Sequence, residues 1–209
     1  MRKIHKGSEP PNLTAWKKKN PHRRYSQLPE DMRRVIREYA LKEKFYICAY
    51  CCQRIEDINN CHNEHIEAQN LNPNRTLDFS NIVASCNTSN QCGKAHESKP
   101  LPLTPLMEEC ETELRFKISG RVEGLSDRAK DTIQVLNLGD DEKNNRALIE
   151  KRKQLSDTLL WKSGIDPNQG LEDEELLEML IRDLSQPNED KMDSFAPVLI
   201  NILQNWLSS

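Results

Sequence analysis

The residues best suited to chemistry lie between positions 48 and 96. Cys48 and Cys51 stand in "CAYC", Cys86 and Cys92 in "CNTSNQC", and between the pairs "CHNEHIEAQN" carries His62, Glu64 and His65. Asn81 precedes a short apolar run, and His96 falls just past the last cysteine. Two cysteine pairs, each wrapping a turn of backbone N–H groups around its thiolates, fit a tetrahedral four-cysteine zinc site. The second pair is spaced more widely than the usual two intervening residues. A redox CxxC would need βαβ surroundings, which this stretch lacks; buried unpaired thiols are the other alternative. Cys52 and Cys61 are the nearest substitute ligands, and Cys110 reads as a plain thiol. The histidine segment alone does not separate metal chemistry from two loop histidines; its cysteine frame favours the former.

The elements that must position these residues can be read around them. Residues 1–27 are polar, contain Pro10, Pro11 and Pro21, and read as an extended basic arm. Met32, Val35, Ile36, Tyr39 and Ala40 recur at helical spacing after Pro29 and two acids, which predicts a helix leading into the first cysteine pair. Residues 57–78 read as a loop carrying short strands, and "DFSNIVASC" as a brief buried run. A hairpin is expected over "ETELRFKISGRVEGL" with Gly120 near its turn, then a helix capped by Ser126. A longer helix places Leu148, Arg152, Leu155 and Leu159 at heptad-like spacing and ends near Trp161. After the linker "KSGIDPNQG" come two more helices, "LEDEELLEMLIRDL" and "FAPVLINILQNWL", with Pro197 in the first turn of the last.

Composition sets the limits. Charged residues are 30% of the 209, against 36% hydrophobic, so a modest core and a large polar surface are expected. No apolar run is long enough to span a bilayer and the first residues do not resemble a signal peptide, which leads to the expectation of a cytoplasmic protein with reduced cysteines. Residues 1–54 carry a net +9 and the remainder −12. The basic clusters "WKKKN", "HRR" and "MRRVIR" could track phosphates or could form a solvated surface; charge alone does not choose.

The order "CAYC … NEHI … SNIVASC … QCGKAH" resembles the HNH, or ββα-metal, nucleases over residues 45–100. The resemblance implies a zinc-stapled ββα-metal core over residues 28–104 in an α+β fold. The hairpin and helices over 105–165 are expected to pack on that core, and the C-terminal helical segment over 166–209, outside the resemblance, to pack on its neighbour or dock a partner. It implies His65 as general base, Glu64 as a ligand of a catalytic Mg2+ or Mn2+, Asn81 as the residue orienting the loop, and His96 as a further metal ligand. The family often places that last ligand directly after the final cysteine, where this chain has Gly93. His62 is open between phosphate contact, hydrogen bonding within the site and solvation. Lys94 and Lys99 are expected to face nucleic acid.

Three further segments, "MRKIHKGSEPPNLTAW", "HNEHIEAQ" and "AKDTIQVLNLGDDEKNNRALIEKR", are similar to the PtuB-like HNH proteins of bacterial anti-phage defence, in the Septu system and as retron effectors. That similarity implies a bacterial nuclease acting on DNA or RNA, such as tRNA, in complex with a PtuA-like ABC/SMC-type ATPase. In retron settings it also implies a reverse transcriptase with its RNA–DNA hybrid. The alternative reading is a zinc-knuckle nucleic-acid-binding or scaffold module without catalysis. The acid–histidine pair separates the two, because a binding module has no use for Glu64 beside His65.

Overall fold

The computed structural model describes residues 1–168 and 173–208. Residues 169–172, which hold the end of the expected linker and the expected start of the penultimate helix, lie outside the described residues, as does Ser209. The described chain is α+β, with two small two-stranded sheets among helices.

Helix α2 (Glu30–Glu43) forms where the periodicity places it. Glu30 and Asp31 complement the partial positive charge of its first turn, and Ile36, Ala40 and Leu41 are buried on its inner face. Phe45 and Tyr46, both at positive φ (52° and 59°), end it and turn the chain into the first cysteine pair. There Ile47 bridges Arg54, the Cys48 N–H donates to the Gln53 carbonyl at 2.8 Å, and the knuckle closes.

Strands β1 (Cys61–His65) and β2 (Ile82–Cys86) pair antiparallel, with Cys61 opposite Cys86 and His65 opposite Ile82. Helix α2 packs across both. The loop joining them is closed at its neck by Asn81, whose Oδ1 accepts from the Glu67 N–H at 2.8 Å and whose Nδ2 donates to the Glu67 carbonyl at 3.0 Å. Helix α3 (Gly93–His96) is a single turn beginning after Cys92, and the Cys92 N–H donates to the Leu136 carbonyl at 2.8 Å.

The hairpin β3 (Leu114–Phe116) and β4 (Val122–Gly124) comes next, then α4 (Asp127–Leu136), whose capping Ser126 accepts from the Ala129 N–H as expected. Gly120 turns this hairpin at φ +83°, and a Cβ there would lie 2.1 Å from the Ile149 carbonyl oxygen, so only glycine fits. Helix α5 (Glu142–Lys162) contains the expected heptad residues, with Leu148 and Arg152 buried. It is broken at Asn145 (φ −153°, ψ 73°), whose Oδ1 accepts from the Leu148 N–H at 3.2 Å and so caps the remainder of the helix.

One expectation about the ends changes. Residues 1–27 are not an extended arm: α1 (Pro11–Lys19) starts at a proline, which suits a first helical position, and Met1, Ile4 and Leu13 are buried in the core. The last two helices, α6 (Glu174–Ser185) and α7 (Ala196–Leu207), pack on each other, and α7 also packs on β3. The Phe195 N–H donates to the Cys52 carbonyl at 2.9 Å, and α7 buries Val198, Leu199, Ile202 and Leu203. Its apolar face is thus satisfied within the chain. No helix among the described residues is long and apolar enough to cross a membrane.

Candidate metal centre and acid–histidine site

The knuckle, the end of β2 and the start of α3 bring Cys48, Cys51, Cys86 and Cys92 together, all buried, with their Sγ atoms within 4.8 Å of one another. A tetrahedral zinc with Zn–S bonds of about 2.3 Å has S–S edges of about 3.8 Å, so the cluster fits such an ion. All seven cysteines are unbridged. Four thiolates this close repel one another. Cys51 is pushed up, first by its hydrogen bond with Cys48, and Cys92 is pushed up, first by burial. Cys86 is held well below the usual thiol range by hydrogen bonds from Cys48, Cys51 and Cys92. A divalent cation is what would let all four ionise together.

Cys52 and Cys61 stand outside this group. The Cys61 thiol donates to the Ile58 carbonyl at 3.3 Å and burial pushes it up to about 12.

The surroundings of the sulfurs are built as well. The Cys86 N–H donates to Cys48 Sγ at 3.4 Å, and Gln91 Nε2 donates to Cys51 and Cys86 Sγ at 3.7 Å each. Asn145 Nδ2 donates to Gln91 Oε1 at 3.1 Å, so the break in α5 fixes the orientation of that amide. Arg152, fully buried, donates to the Gly120 and Leu138 carbonyls at 2.6 and 3.1 Å and has no carboxylate partner among the described residues. Burial lowers its pKa to about 10, while Cys51, Cys52 and Cys92 favour its charge. The sequence placed Arg152 in a core-facing heptad row, where a charged residue was already a signal.

The acid–histidine site lies on the neighbouring part of the same sheet. On β1, alternation puts His62 and Glu64 on one face and Asn63 and His65 on the other. Glu64 is buried between two imidazoles, each on a different oxygen: His62 Nε2 is 3.3 Å from Oε2 and His96 Nδ1 is 2.6 Å from Oε1. The far nitrogen of each ring is already committed. His62 Nδ1 lies 2.9 Å from Asn87 Oδ1, and Asn87 spends its amide group on the Asn59 carbonyl, so this oxygen accepts and the imidazole donates. His96 Nε2 donates to the Lys99 carbonyl at 2.7 Å.

Two neutral rings locked this way both aim lone pairs at one carboxylate. A proton or a cation between nitrogen and oxygen resolves each contact, and a donor N–H held by a carbonyl behind the ring is how metal-ligating histidines are oriented. Burial pushes the Glu64 carboxyl up, but the hydrogen bonds and positive charge that His62 and His96 offer it when protonated outweigh burial and hold the group below its usual range.

Gly93 explains why the site has room. A Cβ there would lie 2.6 Å from both Glu64 Oε2 and His62 Nε2. The position directly after the last cysteine therefore supplies space rather than a ligand, and His96, one helical turn later, supplies the side chain. The trio is more open than the cysteine cluster, which among the described residues is the group whose ligand atoms all lie within 4.8 Å of one another.

His65 faces the other way. Its Nε2 donates to the Thr76 carbonyl at 2.9 Å, leaving Nδ1 with a lone pair, and the Tyr25 ring meets it edge-on at 4.7 Å between centroids. Burial lowers its pKa, partly offset by the Thr76 bond and the Glu64 charge, and favours the neutral ring. Glu64 and His65 share a cleft of about 290 Å³ with Gln69, Asn70, Glu97 and Ser98. Asn81 does not line this cleft; its two bonds to Glu67 close the neck of the loop. Lys94 is exposed on α3, whereas Lys99 Nζ donates to the Ala95 carbonyl at 3.3 Å.

Sequence reasoning did not single out Tyr25, Thr76, Gln91 or Asn145 for this region. Thr76 and Gln91 contribute through a carbonyl and an amide, which leave no distinctive residue type to read. No protein-family model matches the chain, and no curated protein matches it.

Proposed function

We propose that the chain is a metal-dependent endonuclease of the HNH type, hydrolysing nucleic-acid phosphodiesters. The carrying observation is the pairing of Glu64, faced by two tautomer-locked imidazoles, with His65, whose lone pair is left at Nδ1. The order strand β1, loop, strand β2, helix α3 is that of a ββα-metal core and supports the reading. The four cysteines would hold zinc and staple the core. Glu64 with His62 and His96 would hold a catalytic Mg2+ or Mn2+, which, when bound, neutralises charge on the scissile phosphate and the leaving oxygen.

The chain's own residues do the rest. Thr76 fixes the His65 tautomer, and Tyr25 packs against the ring and restricts its rotation. Neutral His65 takes a proton at Nδ1 from a water as its oxygen bonds to phosphorus and the ester P–O bond breaks. Asn81 keeps the loop that carries Thr76 in register with β1. By its resemblance to PtuB-like proteins, the nuclease would serve as effector of an anti-phage complex with a PtuA-like ATPase, and in a retron setting with a reverse transcriptase and its RNA–DNA hybrid.

The test is cleavage of plasmid, single-stranded DNA and total RNA by the full chain, alone and with such an ATPase, in Mg2+ or Mn2+. His65→Ala is run beside wild type and zinc is counted in both. Loss of cutting by about 100-fold or more with zinc retained is expected. Equal cutting by both removes His65 from the mechanism. Zinc and nucleic-acid binding without cutting by either favours the zinc-knuckle binding module.

A further inference from the structure

Between Glu9 and Glu30 the chain has no acidic residue, but it carries Lys17, Lys18, Lys19, His22, Arg23 and Arg24. Elsewhere Arg34, Arg37, Arg54, Arg75, Arg121, Arg128 and Arg146 each pair with a carboxylate. In this segment only Lys17 does, with Glu9 at 2.6 Å. Lys18, Lys19, His22, Arg23 and Arg24 are exposed, and none makes an ion pair among the described residues. The end of α1 favours cations through the helix dipole, which accounts for Lys17 to Lys19. It does not account for Arg23 and Arg24, which lie beyond the helix.

Lys17, His22, Arg23 and Arg24, with Asn20 and Pro21, form one wall of a cleft of about 370 Å³, whose other wall is the loop residues Pro73, Asn74, Thr76 and Leu77; Lys18 and Lys19 stand next to it on α1. Lys17 spans it, donating to the Leu77 carbonyl at 3.2 Å, and so fixes the spacing of the walls. The cleft adjoins the acid–histidine site through two contacts. Thr76 in its wall is the residue whose carbonyl accepts from His65, and Tyr25, next to Arg24, is the ring packed on His65.

We infer that this cleft holds the phosphodiester backbone of the strand whose scissile bond lies at His65. The inference rests on the proposed nuclease reading for what happens at His65. Cations spread along the chain, exposed and without carboxylates, suit a repeating polyanion; a single buried anion would be met by inward-facing donors instead. Backbone contacts of this kind position a strand without reading its sequence.

The test uses full-length His65→Ala protein with labelled 20-nucleotide single-stranded DNA and RNA of one sequence, followed by fluorescence anisotropy across a salt series. A second protein, the cleft variant, adds Arg23→Glu and Arg24→Glu in the cleft wall and Lys18→Glu and Lys19→Glu between its lining residues Lys17 and Asn20. A third instead reverses Lys130, Lys143, Lys151 and Lys162 on α4 and α5. The cleft variant is expected to bind at least about tenfold more weakly, with its log–log salt slope reduced by about 3, and the third protein to bind nearly as the parent. The preferred strand chemistry is the one that loses more.

Equal affinity and slope in parent and cleft variant, equal losses in both charge-reversed proteins, or no binding by the parent at low salt would each overturn the inference. Zinc content and melting temperature establish that the proteins are folded. Failure of the nuclease reading looks different: the cleft variant loses binding while protein with His65 intact cuts nothing. If protein with His65 intact cuts and the cleft reversal leaves binding unchanged, the cleft alone fails.

Discussion

Cys86 and Glu64 sit on the two strands of one small sheet, yet the regions around them bury charge in opposite ways. Around the cysteines the ligand atoms are enclosed, and the buried charge without a carboxylate partner is a cation, Arg152. Around Glu64 the buried charge is an anion, its partners are imidazoles, and one side opens into a cleft. Enclosure suits an ion that stays and holds the fold, because no position is left for another ligand. An open side suits an ion that must meet something arriving from solution. The difference teaches that neighbouring groups of side chains with ligand chemistry can be told apart by what surrounds them more than by their residue types.

The most severe break in this comparison is to open the closed side. Cys86→Ser is expected to lose zinc and about 3–5 kcal/mol of stability, a fall of more than about 10 °C in Tm. Cys61→Ser, outside the cluster, should keep zinc and shift Tm by only a few degrees. Calorimetry with zinc quantification checks both, and a Cys86→Ser protein that holds one zinc and melts like wild type removes that cysteine from the site.

Closing the open side should act on the other function. Gly93→Ala puts a methyl group where Glu64 and His62 now approach each other. Cutting should fall by about 100-fold, as expected when reacting groups are displaced by about 1 Å. Zinc content is the contrasting readout and should stay at the wild-type value. Undiminished cutting would show that the space beside Gly93 is not used.

The smallest effect concerns Lys44, whose ammonium is buried, donates to the Arg2 carbonyl and is pushed by desolvation from 10.5 to about 8. Its folded pKa lies below its unfolded one. The unfolded chain therefore binds more protons between pH 8 and 10.5, and the folding penalty of this charge, complete below pH 8, is relieved as pH rises through that window. The penalty is on the order of 3 kcal/mol. Lys44→Met should gain part of that at pH 7, less the lost hydrogen bond to Arg2, and its advantage over wild type should shrink by pH 10. Urea unfolding of both proteins at several pH values decides it; an advantage constant with pH would show that burial does not shift the lysine's pKa between the unfolded and folded chain.

Much of this architecture was legible in the sequence because local chemistry and tertiary packing agree. Ile36 and Ala40 lie on the inner face of α2, Gly120 turns its hairpin, Ser126 caps α4, and the four cysteines meet. The basic first segment was misread as extended because its prolines outweighed Leu13, a single apolar anchor that nonetheless reaches the core. Within the site, adjacency misled. His65 is next to Glu64 in sequence but on the opposite face of β1, while His62, two residues away, shares the face. That alternation can be applied only when the strand boundaries are known. The space at Gly93 depends on two side chains from another element, which no local pattern records.

The break at Asn145 has a mechanical consequence. The first turn of α5 is capped by Asp141, and the longer remainder is capped again by Asn145, so the chain's longest helix is jointed near one end. The joint bears on Gln91 and through it on two sulfurs, while Arg152, two turns further on, bears on Gly120 and Leu138. Helix α5 is thus pinned on both sides of its joint, to the surroundings of the sulfurs at one end and to the hairpin turn and the end of α4 further along, and the joint lets one helix meet both.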